Sequence, residues 1–199
     1  AVADLPHPGI MSGEVVLRKV VILLIFLGFF AAPGLSAASP KPRITEIHGR
    51  AKGREARVQF TLRNAFTPEM VEALKSGIEI SFKTVVRVQR VHRNWFDVTV
   101  GEITFSRSVR YDALSRVYRL NRGEGEELLA DIFAALAGMT QYEVIVPLGY
   151  EVVRGKKYRA SIRTRLDKVG LSEPFRSIFF FSSLWDVETE WEQGEISAP

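Results

Sequence analysis

The sequence predicts a mainly β protein: an antiparallel β-sandwich of the immunoglobulin-like class with two short helices, preceded by an N-terminal signal helix. Apolar and polar residues alternate along several stretches, turn residues separate these stretches, and only two segments of the mature chain show helical spacing. The 199 residues are 46% hydrophobic and 25% charged, an ordinary globular balance with room for one sizeable core.

The predicted strands are the stretches in which every second residue is apolar. Val58, Phe60 and Leu62 share one face of residues 56–64. A longer row, Ile78, Ile80, Phe82, Thr84, Val86 and Val88, runs through residues 78–90. In residues 157–167 the inward row is Tyr158, Ala160, Ile162 and Leu166, and the outward row is Arg159, Ser161, Arg163, Arg165 and Asp167. Further strands are predicted at residues 44–48, 96–106, 116–122, 142–147 and 176–183, with a bulge at Gly101.

Two helices are predicted between these strands. The first begins at Thr67, a good N-cap that is followed by Pro68, and ends at Gly77. The second is predicted over residues 125–137, with acids at its start and an apolar stripe, and Gly138 is expected to end it. The members of the stripe are Leu128, Leu129, Ile132, Phe133 and Leu136.

The N-terminal segment has the pattern of a secretory signal peptide. Arg18 and Lys19 precede the apolar run Val20–Ala32, and the small residues 36–38 predict cleavage after Ala38. The alternative is an uncleaved inner-membrane anchor formed by residues 20–32. A helix over that run would be about 20 Å long, short of the ~30 Å hydrocarbon core, so its length favours cleavage. Residues 1–10 are interpreted as an upstream extension, with Met11 as the working start.

The predicted domain organisation follows from these boundaries. Residues 1–38 hold the upstream extension and signal peptide, 39–42 are a lead-in, 43–192 form a single β-sandwich domain, and 193–199 are a flexible tail. The predicted location is the periplasm or cell envelope.

The C-terminal stretch SSLWDVETEW alternates acids with apolar residues. Trp185, Val187 and Trp191 share one parity, which predicts that both tryptophans are buried. Asp186, Glu188, Glu190 and Glu192 share the other parity, which predicts a solvated face. A cation site is the alternative, but calcium requires six or more converging oxygens. We expect the acidic row to lie beside the basic row of Arg159, Arg163 and Arg165 on one outer face.

Several spaced motifs resemble the domain-of-unknown-function family numbered 4390, which comprises exported bacterial proteins. They are NWFDV at 94–98, YDALSRVYRL at 111–120, YRASIRTRLD at 158–167, LSEPF at 171–175 and LWDVETEW at 184–191. The resemblance spans about Arg43 to Trp191. It implies a leader, a β-rich extracytoplasmic domain and no established activity, and it points loosely to a membrane sensor kinase as a partner.

The composition and motifs exclude several kinds of chemistry. There is no cysteine, which excludes thiol catalysis, disulfides and cysteine metal sites. No nucleophile elbow, zinc-protease motif or phosphate loop occurs in the sequence. Net charge is only +4, without a concentrated basic stripe, so no nucleic-acid partner is expected. His48 and His92 are expected at strand ends, and neither a metal nor a cofactor is predicted.

Two groups of residues are candidates for function. Asp97 and Asp112 each follow an aromatic residue and could form the carboxylate pair of a hydrolase, although turn capping or pairing with arginine is the favoured role. Arg87, Arg90, Arg93 and Trp95 form a basic and aromatic cluster that could bind an anionic ligand, or could instead protect a hairpin end from pairing with other chains. Tyr111 and Tyr118 are further interaction candidates within the second motif.

The function favoured by these observations is a non-enzymatic, exported module that binds a protein or an envelope component. The alternative is an envelope hydrolase or carbohydrate-active enzyme that uses Asp97 and Asp112. Contact with a membrane is expected only through the N-terminal segment, if that segment stays uncleaved.

The leader generates the first prediction. Because its apolar run is short and ends in small residues, the exported protein should begin at or within a few residues of Ser39. N-terminal sequencing of the exported species checks this, and an exported species that still carries Val20–Ala32 would identify an anchor instead.

Overall fold

A computed structural model of the chain describes residues 40–167 and 187–198. Nine strands and two short helices in this part of the chain confirm the mainly β class. The elements in chain order are β1 Arg43–Lys52, β2 Glu55–Arg63, α1 Pro68–Lys75, β3 Ile80–Arg90, β4 Val98–Asp112, β5 Val117–Asn121, β6 Glu126–Leu129, α2 Ile132–Thr140, β7 Gln141–Pro147, β8 Tyr158–Leu166 and β9 Glu192–Ser197. The leader, the predicted strand at 176–183, Trp185 and Asp186 lie outside the described residues.

The strands form one hydrogen-bonded sheet with the order β6-β5-β4-β3-β8-β9-β1-β2-β7. Its ladders are antiparallel apart from that between β1 and β9, where Gly49 and Ile196 are partners in a parallel register. The prediction of a flexible tail at 193–199 is wrong for its described part. Ile196 is buried opposite Tyr158, so burial of this side chain holds β9 between β8 and β1.

The sheet folds over so that β4 contacts the end of β7, although five strands separate them in the sheet order. The amide of Gly149, just after β7, donates to the carbonyl of Val100 at 2.8 Å. The rings of Phe105 and Tyr142 lie 5.9 Å apart between the same two strands. This layering is consistent with a β-sandwich, and the immunoglobulin-like assignment stays a prediction.

Gly101 lies where β4 crosses the end of β7. The β3–β4 register shifts between Val88 and Gln89, which confirms the bulge predicted at this glycine. A Cβ atom at position 101 would stand 2.4 Å from the carbonyl oxygen of Pro147. Glycine is therefore required here because the backbones of the two layers come too close for a side chain.

The predicted alternation describes most of the core correctly. The buried side of β3 holds Ile80, Phe82, Thr84, Val86 and Val88, and the buried side of β8 holds Tyr158, Ala160, Ile162 and Leu166. Ser161 is an exception, since alternation placed it outside and it is only 4% exposed. Its Oγ donates to Gln89 Oε1 at 2.7 Å, so a side chain on the neighbouring strand covers it.

Helix α1 begins where its sequence predicts. The Thr67 hydroxyl accepts a hydrogen bond from the amide of Met70 at 3.3 Å, and Pro68 is the first helical residue. Met70 and Leu74 are fully buried against the sheet. Among residues 40–167 and 187–198, no helix is long and apolar enough to cross a membrane.

The prediction for the second helix is wrong in its first half. Residues 126–129 form β6, which pairs with β5, and α2 begins only after Asp131, whose carboxylate accepts from the amide of Ala134 at 2.9 Å. The helix also continues past Gly138, which is buried against Leu120, where a Cβ would clash at 2.4 Å. Leu128 and Phe133 of the predicted stripe are exposed. Leu128 lies in the β5–β6 hairpin, and the Asp131 cap fixes where α2 begins and therefore which way Phe133 points.

Arg107 is a buried cation, 6% exposed, that joins the two layers. It projects from β4, and its Nη1 donates to the carbonyls of Gly138 and Gln141 at 2.6 and 2.7 Å. Its guanidinium carbon also lies 4.1 Å from the ring centroid of Tyr142. The side chain therefore caps the C-terminal end of α2 and holds the start of β7 against β4.

Replacing Arg107 should destabilise the domain strongly. We expect Arg107→Ala to lower the free energy of unfolding by about 2–4 kcal/mol, because a buried and a partly buried carbonyl lose their donor. Arg107→Met, which keeps an apolar stem, should recover only part of this loss. Arg57→Ala, which removes an exposed ion pair with Glu143, is the control and should cost less than about 1 kcal/mol. Urea unfolding measures all three variants, and equal losses for Arg107 and Arg57 would contradict the assigned role.

Candidate functional site

The candidate site is the connection between β3 and β4, residues 91–97, which we call the Trp95 loop. Its base is fixed at three points. The amide of Val91 donates to the carbonyl of Lys157 at 2.9 Å, the amide of His92 donates to Asp97 Oδ1 at 3.2 Å, and Asp97 pairs with Arg159 at 2.9 Å. The loop is therefore held against β8 and the residues before it, and its middle projects from the end of the sheet.

The projecting part of the Trp95 loop carries two exposed aromatic side chains. Trp95 is 76% exposed and Phe96 is 84% exposed. Their ring centroids are 6.1 Å apart in an edge-to-face arrangement. Neighbouring exposed aromatics are costly to keep in water, and they are typical of surfaces that a partner covers.

Basic residues lie on the Trp95 loop and on the connection next to it. Arg93 of the loop itself is exposed, and so are Arg154, Lys156 and Lys157 in the connection between β7 and β8. That connection lies beside the Trp95 loop, as the bond from Val91 to Lys157 shows. The end of the sheet therefore combines an apolar tip with positive charge.

Arg87 and Arg90, the other sequence candidates of this cluster, have structural contacts. Arg87 pairs with Glu102 at 2.5 Å, and its guanidinium carbon lies 4.4 Å from the ring centroid of Trp191. Arg90 lies over the ring of Tyr150 at 5.6 Å. These contacts hold neighbouring segments together, so Arg87 and Arg90 have structural roles. The residues of the cluster that remain candidates for binding a partner are Arg93 and Trp95, and exposed Phe96 joins them.

Asp97 and Asp112 are not brought together. Asp97 directly precedes β4 and Asp112 is its last residue, so the 15-residue strand separates them by roughly 50 Å at about 3.3 Å per residue. The paired carboxylates of glycoside hydrolases are about 5–10 Å apart. The hypothesis that these two acids act as one catalytic pair is therefore wrong.

Asp112 instead caps the turn between β4 and β5. Its carboxylate accepts from the amides of Leu114 and Ser115 and pairs with Arg119 at 2.7 Å. The hydrogen bond from Arg119 is the main reason why the pKa of Asp112 falls to about 2, and the turn contacts add to it. The group is ionised at neutral pH and cannot serve as a general acid. This geometry matches the capping and pairing role that the sequence favoured.

Tyr111 and Tyr118 lie at the same turn, far from the Trp95 loop. Their ring centroids are 4.9 Å apart, and Tyr118 is 8% exposed, with its pKa raised mainly by burial. They form the apolar base of the β4–β5 hairpin. The eight interaction candidates are thus divided between two opposite ends of the β3–β4 pair.

An open concavity of about 540 Å³ lies on the face that includes β1, β2 and β7. Glu46 and Glu143 are among its lining residues, and each is bound to a neighbour: Glu46 to Arg63 at 2.7 Å and Glu143 to Arg57 at 2.8 Å. A hydrogen bond from Thr61, followed by that from Arg63, lowers the pKa of Glu46. Glu46 therefore stays ionised at neutral pH, and both acids lie within cross-strand pairs.

The two histidines of the domain are separate. His48 lies within β1, at the irregularity between Thr45 and His48, and His92 lies in the Trp95 loop. The expectation of a strand end is wrong for His48, because β1 extends to Lys52. Within residues 40–167 and 187–198, no three histidine, aspartate or glutamate side chains are close enough to hold a metal ion.

The described part of the acidic row Asp186, Glu188, Glu190 and Glu192 behaves as a solvated face. Glu188 forms a bridge with Arg165 and pairs with Arg163, whereas Val187 and Thr189 are buried. Thr189 joins a buried polar row, since its Oγ1 accepts from the amide of Thr164 at 3.0 Å. The predicted contact between the acidic and basic rows is confirmed for Glu188 and Arg163.

The prediction that Trp191 is buried is wrong. Glu188 opposes Arg165, but Glu192 opposes Ile162, so one extra residue lies on the C-terminal side of the ladder. Such a bulge reverses the parity of all later residues. Trp191 is therefore half-buried on the outer face beneath Arg87, and Glu192 moves to the inner parity that it shares with Ile196.

Sequence reasoning missed Phe96 as part of the site, because it placed this residue at the start of a strand. The signal was available: successive residues in a strand point to opposite faces, so adjacent Trp95 and Phe96 could not both face one core. The basic residues Arg154, Lys156 and Lys157 carried no comparable signal, because only the fold brings their connection beside the loop.

Comparison with known proteins agrees with the resemblance. The model of a family described as a domain of unknown function, DUF4390, matches residues 39–195, which is most of the chain. No curated protein matches the sequence.

The pair of Glu188 and Arg163 generates a prediction for the C-terminal segment. Glu188→Lys should destabilise the domain by roughly 0.2–1 kcal/mol at low salt, because it places like charges together on two strands. The double variant Glu188→Lys/Arg163→Glu should recover part of this loss, whereas Glu124→Lys, in the exposed β5–β6 turn, should have little effect. Denaturant melts at low and high salt measure the change.

Adding calcium distinguishes a structural role of the acidic row from a cation site. If the acids are structural, calcium should leave the melting temperature unchanged. A strong rise that Glu188→Gln abolishes would identify a cation site instead.

Proposed function

Because the chain belongs to DUF4390, a family of unknown function, we propose its role from its geometry. It is a non-enzymatic, exported interaction module that binds a protein or an envelope component through the Trp95 loop. The observation that carries this proposal is the exposure of Trp95 and Phe96 on a loop whose base is fixed.

The fixed base favours binding, because a loop that is already ordered loses little conformational freedom when a partner covers it. Asp97 contributes here as a positioning group: it accepts from the amide of His92 and pairs with Arg159. The motif NWFDV thus combines the exposed aromatic pair with the acid that holds the loop in place.

The hydrolase alternative has less support. Asp112 is held ionised by Arg119 and by its turn, and Asp97 is bound at the opposite end of β4. An ionised Asp112 cannot donate a proton as a general acid, and the carboxylate of Asp97 is already engaged by Arg159 and by the amide of His92.

The proposed location is the periplasm or cell envelope, and the support for it is the leader sequence that precedes the domain. A membrane sensor kinase is one protein partner that this location would allow. The binding face is proposed independently of that partner.

Site-specific photo-cross-linking tests the proposal. A photoreactive residue at position 95 should cross-link a partner in cells, and the same residue at position 114 should not. Leu114 is the matched control, because it is 98% exposed but lies in the β4–β5 turn at the opposite end. Cross-linking should also be lost from a probe at position 93 when Trp95→Ser is introduced. Equal cross-linking from positions 95 and 114 would contradict the assigned face.

A further inference from the structure

Three connections meet at the end of the sheet that carries the Trp95 loop. The amide of Val152, between β7 and β8, donates to the carbonyl of Gly53 in the β1–β2 turn at 2.8 Å. Arg54 of that turn donates to the carbonyl of Gly149 at 2.8 Å. Since the β7–β8 connection also contacts the Trp95 loop through Lys157, the three segments form one continuous surface, which we call the aromatic end.

Positive charge predominates on the aromatic end. Its three connections carry Arg54, Arg93, Arg154, Lys156 and Lys157. The acids described there are Glu151, Glu55 at the start of β2, and Asp97, whose charge is already paired with that of Arg159. The excess of cations gives this end a charge complementary to an anionic surface.

The apolar part of the aromatic end projects outward. Trp95 and Phe96 lie at its tip, and Val98 and Val153 add further exposed apolar surface at 40% and 44% exposure. Protein segments that bind at a lipid–water interface commonly combine tryptophan or phenylalanine with neighbouring lysine and arginine. A projecting tip of this kind can enter a headgroup layer, while the cations around it contact phosphates.

We propose that the aromatic end docks on the surface of an anionic phospholipid bilayer. Trp95 and Phe96 enter the headgroup region, and Arg93, Lys156 and Lys157 contact lipid phosphates. The inference rests on the proposed function, because it uses the same binding face, and it names a membrane surface as the envelope component. It departs from the sequence-based expectation that only the N-terminal segment contacts a membrane.

Vesicle binding tests the inference on the chain from Ser39 onward. This chain retains the whole described core, whose buried residues lie between Ile44 and Ile196. The probes are vesicles of phosphatidylcholine alone and of phosphatidylcholine mixed with phosphatidylglycerol, and co-sedimentation gives the partition coefficient. We expect binding to the anionic vesicles, weak binding to the neutral ones, and a several-fold loss of affinity as salt rises.

The variants separate the aromatic end from the rest of the surface. Trp95→Ser should lower the affinity for anionic vesicles about tenfold, because a large apolar side chain no longer leaves water. Lys156→Glu/Lys157→Glu should also weaken binding, with a flatter dependence on salt. Leu114→Ser should leave binding unchanged, since Leu114 is even more exposed than Trp95 but lies at the opposite end. Circular dichroism of each variant confirms that the fold is intact.

Two outcomes would overturn the inference, and they differ in what they say about the proposed function. If anionic vesicles do not bind, or bind wild type and Trp95→Ser equally, while position 95 still cross-links a protein in cells, the lipid assignment is wrong and the proposed binding face stands. If vesicle binding and cross-linking are both independent of Trp95, the proposed function fails as well.

Discussion

The buried cation of Arg107 is the contact on which the layered fold depends. Arg107 has no carboxylate partner among the described residues, and two carbonyls at the C-terminal end of α2 accept its hydrogen bonds instead. The C-terminal end of a helix carries a partial negative charge, and here it balances the positive charge of the guanidinium as a carboxylate would. Burial lowers the pKa of Arg107 from its high ordinary value and raises that of Tyr142 to about 12, so the cation lies over a neutral ring at neutral pH.

The position of this contact explains how the aromatic end is assembled. Arg107 holds β4 against the start of β7, and Gly101 lets β4 cross the end of the same strand at backbone distance. With β4 and β7 fixed together at both points, the connection that leaves β7 must pass beside the connection that enters β4. Arg154, Lys156 and Lys157 therefore lie on the connection beside the Trp95 loop, although about sixty positions separate them from Trp95 in sequence.

On the outer face of the sheet, charged side chains form exposed ion pairs and are not buried as Arg107 is. Its pairs, such as Arg163 with Glu188 and Arg87 with Glu102, are half-exposed and cross from strand to strand. Each contributes little to stability in water, but together they disfavour other registers, because a slip by one residue would remove opposite charges from each other. The C-terminal segment is held from inside as well, where Thr84, Thr164 and Thr189 form a buried polar row.

The sequence alone determined the mainly β class, the inward rows of β2, β3 and β8, the start of α1 and the bulge at Gly101, because each depends on residues close together in the chain. It also indicated that Asp97 and Asp112 would cap or pair, since strand-end acids beside turns commonly do so. Only the tertiary structure decided three other features. The bulge before Glu192 turned Trp191 outward, hairpin pairing with β5 replaced the first half of a helical pattern, and the folding of the sheet gathered the aromatic end. These three features have one physical reason in common. Distant segments decide where a ladder gains an extra residue, which strand pairs with which, and where the layers touch. A local pattern of apolar residues holds no information about those segments.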